Sequence, residues 1–466
     1  MSRPFTFGVE LEMMVALVRE GQQNPNPTEH CIVKFPATND IEDISKSDSK
    51  ARNAFPAIFY ANRVRAEFKR IIREAGFPLA LTGADTCGWA VVGDTSLRHP
   101  PDDAYIDTEG YDWCGIEVKT PALPFTPESL QAVKDMCALI PKNFKILTNS
   151  STGLHVHIGH GESSFSTHVV AKIMAFIYTF EPQISSLHPI HRYSHPYGKA
   201  MRHTCHFSAE FQRVYGEMPP TLMAITKILT TTRRKESAHR EELAYLVRTR
   251  ASGKNGNYNF SGMADLNLDV DRPTIEFRQH EGTMDGELII QWVQLLVGML
   301  AYIENEEYAS FLNFLITTAE KEKWQKLGDG KDAEREASMG LKLADGAFNI
   351  IDMLRYIGLS EQANYFKDKV YKHDIPLQAL TPQTKGSCGI EWEYQNRLGG
   401  VARKTAEYRR DDERRRLFEK FRIAKLAAKM AGDEWTFNED RPVWPLHWAD
   451  PEFVDESEES DASNES

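Results

Sequence analysis

Residues 272–287 read RPTIEFRQHEGTMDGE and gather arginine, glutamate, histidine and aspartate into one short stretch. Successive side chains of a strand alternate between its two faces. Read that way, Thr274, Glu276, Arg278 and His280 point one way, and Ile275 and Phe277 the other. Three further segments divide in the same manner. In FTFGVELEM, Phe5, Phe7, Val9 and Leu11 oppose Glu10 and Glu12. In GIEVK, Ile116 and Val118 oppose Glu117 and Lys119, and in GLHVHIG, Leu154, Val156 and Ile158 oppose His155 and His157. A sheet with one wet face is ordinary. A generic wet face would carry threonine, lysine, glutamine and serine, whereas these four fronts carry glutamate, histidine and arginine.

Same-face neighbours on a strand stand about 6.6–6.8 Å apart. Two carboxylates about 7 Å apart repel by roughly 2.4 kcal/mol at an effective dielectric near 20. Glu10, Glu12, Glu117 and Glu276 converging on one cleft therefore require either protonation or a cation among them. Oxygen ligands with an imidazole suit Mg²⁺ or Mn²⁺ better than structural Zn²⁺, which takes more Cys or His. Arg278 then requires an anion close to those cations, and a phosphate bridging metal and guanidinium satisfies both. The residues point to a metal–nucleotide site on a sheet, built without a Walker-type glycine loop.

The elements that must position these groups are legible in outline. The chain has 466 residues, 41% of them hydrophobic, enough for a large core with additions. Acidic residues exceed basic ones by 67 to 55, for a net charge of −12, which argues against a nucleic-acid partner. Six cysteines without a Cys-x-x-Cys pair fit reduced cytosolic thiols. The opening MSRPFTFGVELEMMV shows no basic-then-apolar pattern, so a cytoplasmic location without a membrane partner is expected. The longest apolar stretch, residues 288–303, is interrupted by Gln291 and Gln294 and reads as a buried helix.

Residues 20–56 are polar and turn-rich and predict a long loop insertion, with a helix over 57–75 stopped by Gly76. TPESLQAVKDMCALI opens a helix with Thr126 as N-cap and Pro127 at its first position. Helices are also expected over 168–188, 286–303 and 308–322. The resulting division is a catalytic core over 1–305, a helical C-terminal part over 306–400, a charged helix over 401–432 and an acidic, largely disordered tail over 433–466.

The order Glu-x-Glu, GIEVKTPAL, TGLHVHIG and TIEFRQHEGTMD resembles the putative amidoligase family, within the carboxylate–amine ligase superfamily of glutamine synthetase and glutamate–cysteine ligase. The resemblance covers about residues 5–370, and MLRYIGLSEQANYF matches the family's helical ending. It implies an α+β fold: a curved, mainly antiparallel sheet backed by helices, like the glutamine synthetase catalytic fold, with a helical C-terminal part. ATP and two or three Mg²⁺ would lie in its concavity. By the same resemblance the metal ligands fall on Glu10, Glu12, Glu117, His155 and Glu276. His157 falls near the transferred phosphate, and Arg278 on the phosphate-clamping arginine. Asp94 stands in the family's Asp-Gly-Ser turn, with Thr95 in place of glycine. Lys119 and Thr120 depart from the usual Val-Ser-Pro-Pro form, and a lysine there could bind a carboxylate or phosphate, or alter substrate choice. Arg192 and Tyr193 match a looser block that could contact nucleotide or substrate.

The implied reaction is ATP-dependent amide or isopeptide formation through an acyl phosphate. Its substrates would be a small-molecule or peptide carboxylate and an amine, with a cleft carboxylate or His280 taking the amine's proton. Three alternatives stay open at the level of sequence: a metal-dependent amidohydrolase, a degenerate nucleotide-binding protein, and a phosphagen-kinase-like transferase. The acid, the amine and the oligomeric state are not written in these motifs.

Overall fold

The computed structural model describes residues 5–19, 21, 23–26, 33–35, 51–82, 87–94, 96–97, 111–161, 164–189, 192, 199–216, 218–231, 236–248, 256–264, 273–325 and 349–369. All of them belong to one unit, Met1–Glu419; a second unit, Lys420–Ser466, lies outside the described residues. The charged helix and acidic tail expected over 401–466 also lie outside them, as does Tyr193.

Among the described residues, nine strands form one sheet: β1 (Thr6–Arg19), β2 (Val33–Phe35), β3 (Ala90–Gly93), β4 (Asp112–Lys119), β5 (Leu123–Pro124), β6 (Ile146–Leu147), β7 (Gly153–Gly159), β8 (Tyr258–Asn259) and β9 (Ile275–Glu281). The main order is β3-β4-β1-β7-β9-β8, with β2, β5 and β6 attached to β1. Every pairing is antiparallel except β1 with β2. With its flanking helices this is an α+β fold with a mainly antiparallel sheet. The loop expected over 20–56 is corrected in two places. Val33–Phe35 forms a strand beside Leu17–Arg19, and the following helix begins at Ala51 rather than at residue 57.

The apolar faces read from the sequence make the back of the sheet. Phe7, Val9, Leu11, Ile116, Val118, Leu154, Val156, Ile158, Ile275 and Phe277 are all buried. Burying each such side chain stabilises the fold by about 1.5–3 kcal/mol. Helix Ala51–Glu74 packs on β3 and β4, and its Phe68 stacks on Phe144 with ring centroids 3.9 Å apart. Helix Pro127–Asn143 starts as its sequence predicts: the Thr126 hydroxyl accepts the Ser129 N–H, and Pro127 occupies the first helical position. Helix Gly286–Asn305 is capped by Asp285, which accepts the N–H groups of Glu287 and Leu288. It is long and apolar enough to cross a membrane, yet Ile289, Trp292, Val293, Leu296 and Leu300 are buried in the core. Helix Thr167–Ser185 is buried nearly all round, as an apolar helix enclosed by other helices must be.

On that buried helix Glu181 accepts the backbone N–H groups of Met201 and Arg202 at 2.6 and 2.7 Å. The Arg202 guanidinium runs back to the carbonyls of Tyr178 and Thr179. Glu181 also hydrogen-bonds the side chain of Asn257, whose carbonyl accepts the Arg278 N–H. The central helix is thus tied to the functional strand β9. Burial outweighs the donors around Glu181 and pushes its carboxyl up to about 7.

A carboxyl with a raised folded pKa binds its proton more tightly when folded, so stability falls as pH rises between the unfolded and folded values. Unfolding free energy should therefore decline by up to about 3 kcal/mol between about pH 4.5 and 7 on account of Glu181. Denaturant titrations across that range should show a smaller decline in Glu181→Gln; an identical slope in both proteins would refute the assignment.

Candidate functional site

The register of β1 determines what meets at the polar face. Glu10 lies directly opposite Lys119 on β4 and opposite His155 on β7. Glu12 lies opposite Glu117, and Gly8 opposite His157. His157 in turn faces Glu276 on β9, and Glu276 faces Asn259 on β8. Directly paired residues share a face. Four strands thereby carry four carboxylates, two imidazoles and a lysine to one patch, and Arg278 joins them through Glu276.

The side chains are in contact. His155 Nδ1 is 3.1 Å from Glu10 Oε2 and 3.6 Å from Glu276 Oε1, and its Nε2 is 3.4 Å from Glu12 Oε1. His157 Nε2 is 3.4 Å from Glu10 Oε1, while its Nδ1 is 3.1 Å from Thr274 Oγ1. Lys119 Nζ lies 2.7 Å from Glu10 Oε1 and 3.2 Å from Glu117 Oε1. Arg278 Nη1 bonds Glu276 Oε1, and Asn259 Nδ2 donates to Glu276 Oε2 at 2.8 Å. The backbone N–H of Gly153 donates to Glu12 Oε2 at 2.6 Å. Asp94 folds its carboxylate onto the Ser96 N–H in the turn after β3, and its charge reaches Glu12.

These contacts divide the acids into two kinds. Burial works to raise Glu10, but hydrogen bonds from His155 and His157 and the charges of His157 and Lys119 hold it well below the usual carboxylate range. Burial likewise opposes ionisation of Glu276, and His157, Arg278 and His155 bring it below its ordinary value. Glu12 is raised by burial and by Asp94. Glu117 is pushed up to about 9 by burial and by the charge of Glu10. Burial opposes charge on His157, yet Glu10 and Glu276 raise it above its ordinary value.

Among the described residues, two overlapping groups have ligand atoms within 4.8 Å of one another: Glu10, His157 and Glu276, and Glu10, Glu117 and His155. The donors are carboxylate oxygens with one imidazole in each group, and of these acids Glu117 is driven toward protonation. Such a donor set fits a hard divalent cation.

His280 requires a correction. Leu154 pairs with His280 and Val156 with Phe277, so His155 on β7 faces two residues, Arg278 and Gln279, on β9. This is a β-bulge, and the extra residue reverses the alternation beyond it. His280 therefore shares the apolar back with Leu154. Its ring packs against His188 and Trp292 at centroid distances of 5.1 and 5.8 Å, and burial lowers its pKa. It does not face the cleft with Glu276 and Arg278.

Arg192 does unexpected work. It is 3% exposed, and its guanidinium donates to the carbonyls of Thr152, Arg278 and Gln279 at 3.3, 2.8 and 3.3 Å. A bulge leaves backbone groups outside the ladder. Arg192 satisfies two carbonyls of the bulge itself and one at the start of β7. Gly153 makes room for it, since a Cβ there would stand 2.8 Å from Arg192 Nη2 and 3.0 Å from His155 Nε2. The sequence reading missed Asn259, Gly153 and this bracing role. Asn259 sits in a two-residue strand with no periodicity to mark it. Gly153 at the head of GLHVHIG was the one available signal.

The sequence model of a family described as "Putative amidoligase enzyme" matches residues 3–300. No curated protein matches the chain.

The bracing arrangement predicts the behaviour of Arg192→Lys. A lysine keeps the charge but cannot span three carbonyls. Urea unfolding should show a loss of roughly 2–4 kcal/mol, from buried acceptors left without donors. A loss below about 0.5 kcal/mol, the range of an ordinary surface change, would show that the bulge does not depend on the guanidinium.

Proposed function

The chain belongs to the putative amidoligase family, and we propose that it is an ATP- and Mg²⁺-dependent carboxylate–amine ligase that forms an amide or isopeptide bond through an acyl phosphate. The observation that carries this reading is the shared cluster of Glu10, Glu12, Glu117, Glu276, His155 and His157, with Arg278 at its edge. Acids crowded with only two cationic side chains suit divalent cations, and Arg278 beside them suits the phosphoryl group such cations accompany.

In this reading Glu10, Glu12, Glu117, His155 and Glu276 hold the metal. Bound Mg²⁺ or Mn²⁺ would screen the repulsion between a carboxylate nucleophile and the triphosphate. The chain's own residues do the rest. Arg278, fixed by Glu276 and by the Asn257 carbonyl, stabilises charge on the phosphoryl group in transfer. The substrate carboxylate oxygen bonds to the γ-phosphorus as the bond to ADP breaks. The amine nitrogen then attacks the acyl carbon, phosphate leaves, and the nitrogen gives up one proton. His280 faces away from the cleft, so a cleft carboxylate is the acceptor. His157, oriented by Thr274, adds a donor near the transferred group. Asp94 and Lys119 line the same patch, while Arg192 acts from beneath by holding the backbone that presents Arg278.

Titration calorimetry should show Mg·ATP binding in the wild type that collapses in Glu12→Gln and Glu276→Gln. Arg278→Ala should leave that binding largely intact and slow turnover by roughly 10²–10³, the scale for one preorganised donor. Hydroxylamine should trap the activated acid as a hydroxamate. Unaltered nucleotide affinity in both acid variants would refute the metal assignment. Zn²⁺ copurifying with a chain that ignores ATP would favour the amidohydrolase.

A further inference from the structure

Lys119 is out of keeping with a cleft whose acids await metal. Its position is fixed by register: on β4 it stands directly across from Glu10, one same-face step from Glu117. Across the other edge of β4 its partner is Ala90, which adds no bulk. The ammonium lies 2.7 Å from Glu10 Oε1 and 3.2 Å from Glu117 Oε1. These two acids and His155 form one of the two groups that could hold an ion. In the other group, Glu10, His157 and Glu276, Lys119 touches Glu10 alone, whereas in this one it touches two of the three members.

We propose that the Lys119 ammonium is a built-in cation that takes the place of a divalent ion between Glu10 and Glu117, so that the cleft holds one metal ion fewer than its acids alone would take. A charged ammonium has three donors and no lone pair, so it competes with a metal for carboxylate oxygens and cannot itself be a ligand. Mg²⁺ sits about 2.0–2.1 Å from its oxygens, and an ion bound there to Glu10 and Glu117 would crowd a cation already on the same oxygens. The charge count agrees. With all four acids ionised, as metal ligation requires, Glu10, Glu12, Glu117 and Glu276 against Lys119 and Arg278 leave an excess of two negative charges when the imidazoles are neutral. One divalent ion balances that excess. Removal of Lys119 leaves three negative charges and exposes the Glu10–Glu117–His155 group to a second ion.

The inference rests on the metal reading above, and its test separates the two. Mn²⁺ binding to the full chain is counted by equilibrium dialysis and electron paramagnetic resonance, without nucleotide, beside melting curves that verify folding. Lys119→Met, close in shape and uncharged, should bind one Mn²⁺ more than wild type. Glu117→Gln added to it should return the number to that of wild type. Lys119→Gln serves if the methionine variant fails to fold, and Lys119→Arg, which keeps the charge, should keep the wild-type number. An unchanged or lower number in Lys119→Met or Lys119→Gln, or an added ion in Lys119→Arg, would overturn the proposal while leaving any wild-type metal site standing. A wild type that binds no Mn²⁺ beside a Lys119→Met that binds one would support the lysine's role and sink the metal-dependent ligase instead.

Discussion

Mutual repulsion among Glu10, Glu12, Glu117 and Glu276 is the constraint to which the rest of the site answers. The registers of β1 with β4 and β7, and of β7 with β9, leave these acids no freedom to separate, because directly paired residues share one face at close spacing. The cationic, imidazole and amide groups in the patch address that repulsion. His155 touches three of the acids, Lys119 bridges two, and Arg278 with Asn259 occupies both oxygens of Glu276. The compensation is uneven. Glu10 and Glu276 are held ionised, while Glu12 and Glu117 are pushed toward their neutral forms. Charge in the patch is thus divided between ionised acids held by cationic partners and acids that burial favours in their neutral forms.

Beneath the patch, rigidity comes from backbone rather than from side-chain bulk. The bulge at Arg278 and Gln279 tilts β9 out of regular alternation, and Arg192 holds the displaced carbonyls. Glu181 and Asn257 reach the same strand from the central helix. The proposed role of Arg278 in stabilising charge in transit requires a guanidinium fixed beforehand, and these contacts fix the strand that carries it.

The sequence made the two-faced strands plain because burial and alternation leave a strong pattern: Val9 and Leu11 against Glu10 and Glu12, or Val156 against His155 and His157. The Thr126 and Pro127 helix start was equally legible, since capping is local chemistry. What escaped was whatever depends on two segments at once. A bulge is a property of a pair of strands, so nothing within TIEFRQH announces that His280 turns to the back. Arg192 stands in a histidine-rich stretch that reads as binding chemistry, yet its partners are carbonyls from β7 and β9. β2 is only three residues long, and its pairing with Leu17–Arg19 overrides a composition that reads as loop.

The central position of β1 bears on how the chain reaches its fold. Its partners Glu117, Lys119, His155 and His157 lie more than a hundred residues downstream, and Glu276 lies further still. Contacts of such long range are formed only after large loops close, which places this sheet among slowly folding topologies. During synthesis at about 5–20 residues per second, Glu10 leaves the ribosome tens of seconds before Glu276 exists. Through that interval β1 carries its apolar back and its acidic front without β9. Until those partners emerge, the exposed apolar back of the nascent first strand is the part of the chain most open to self-association.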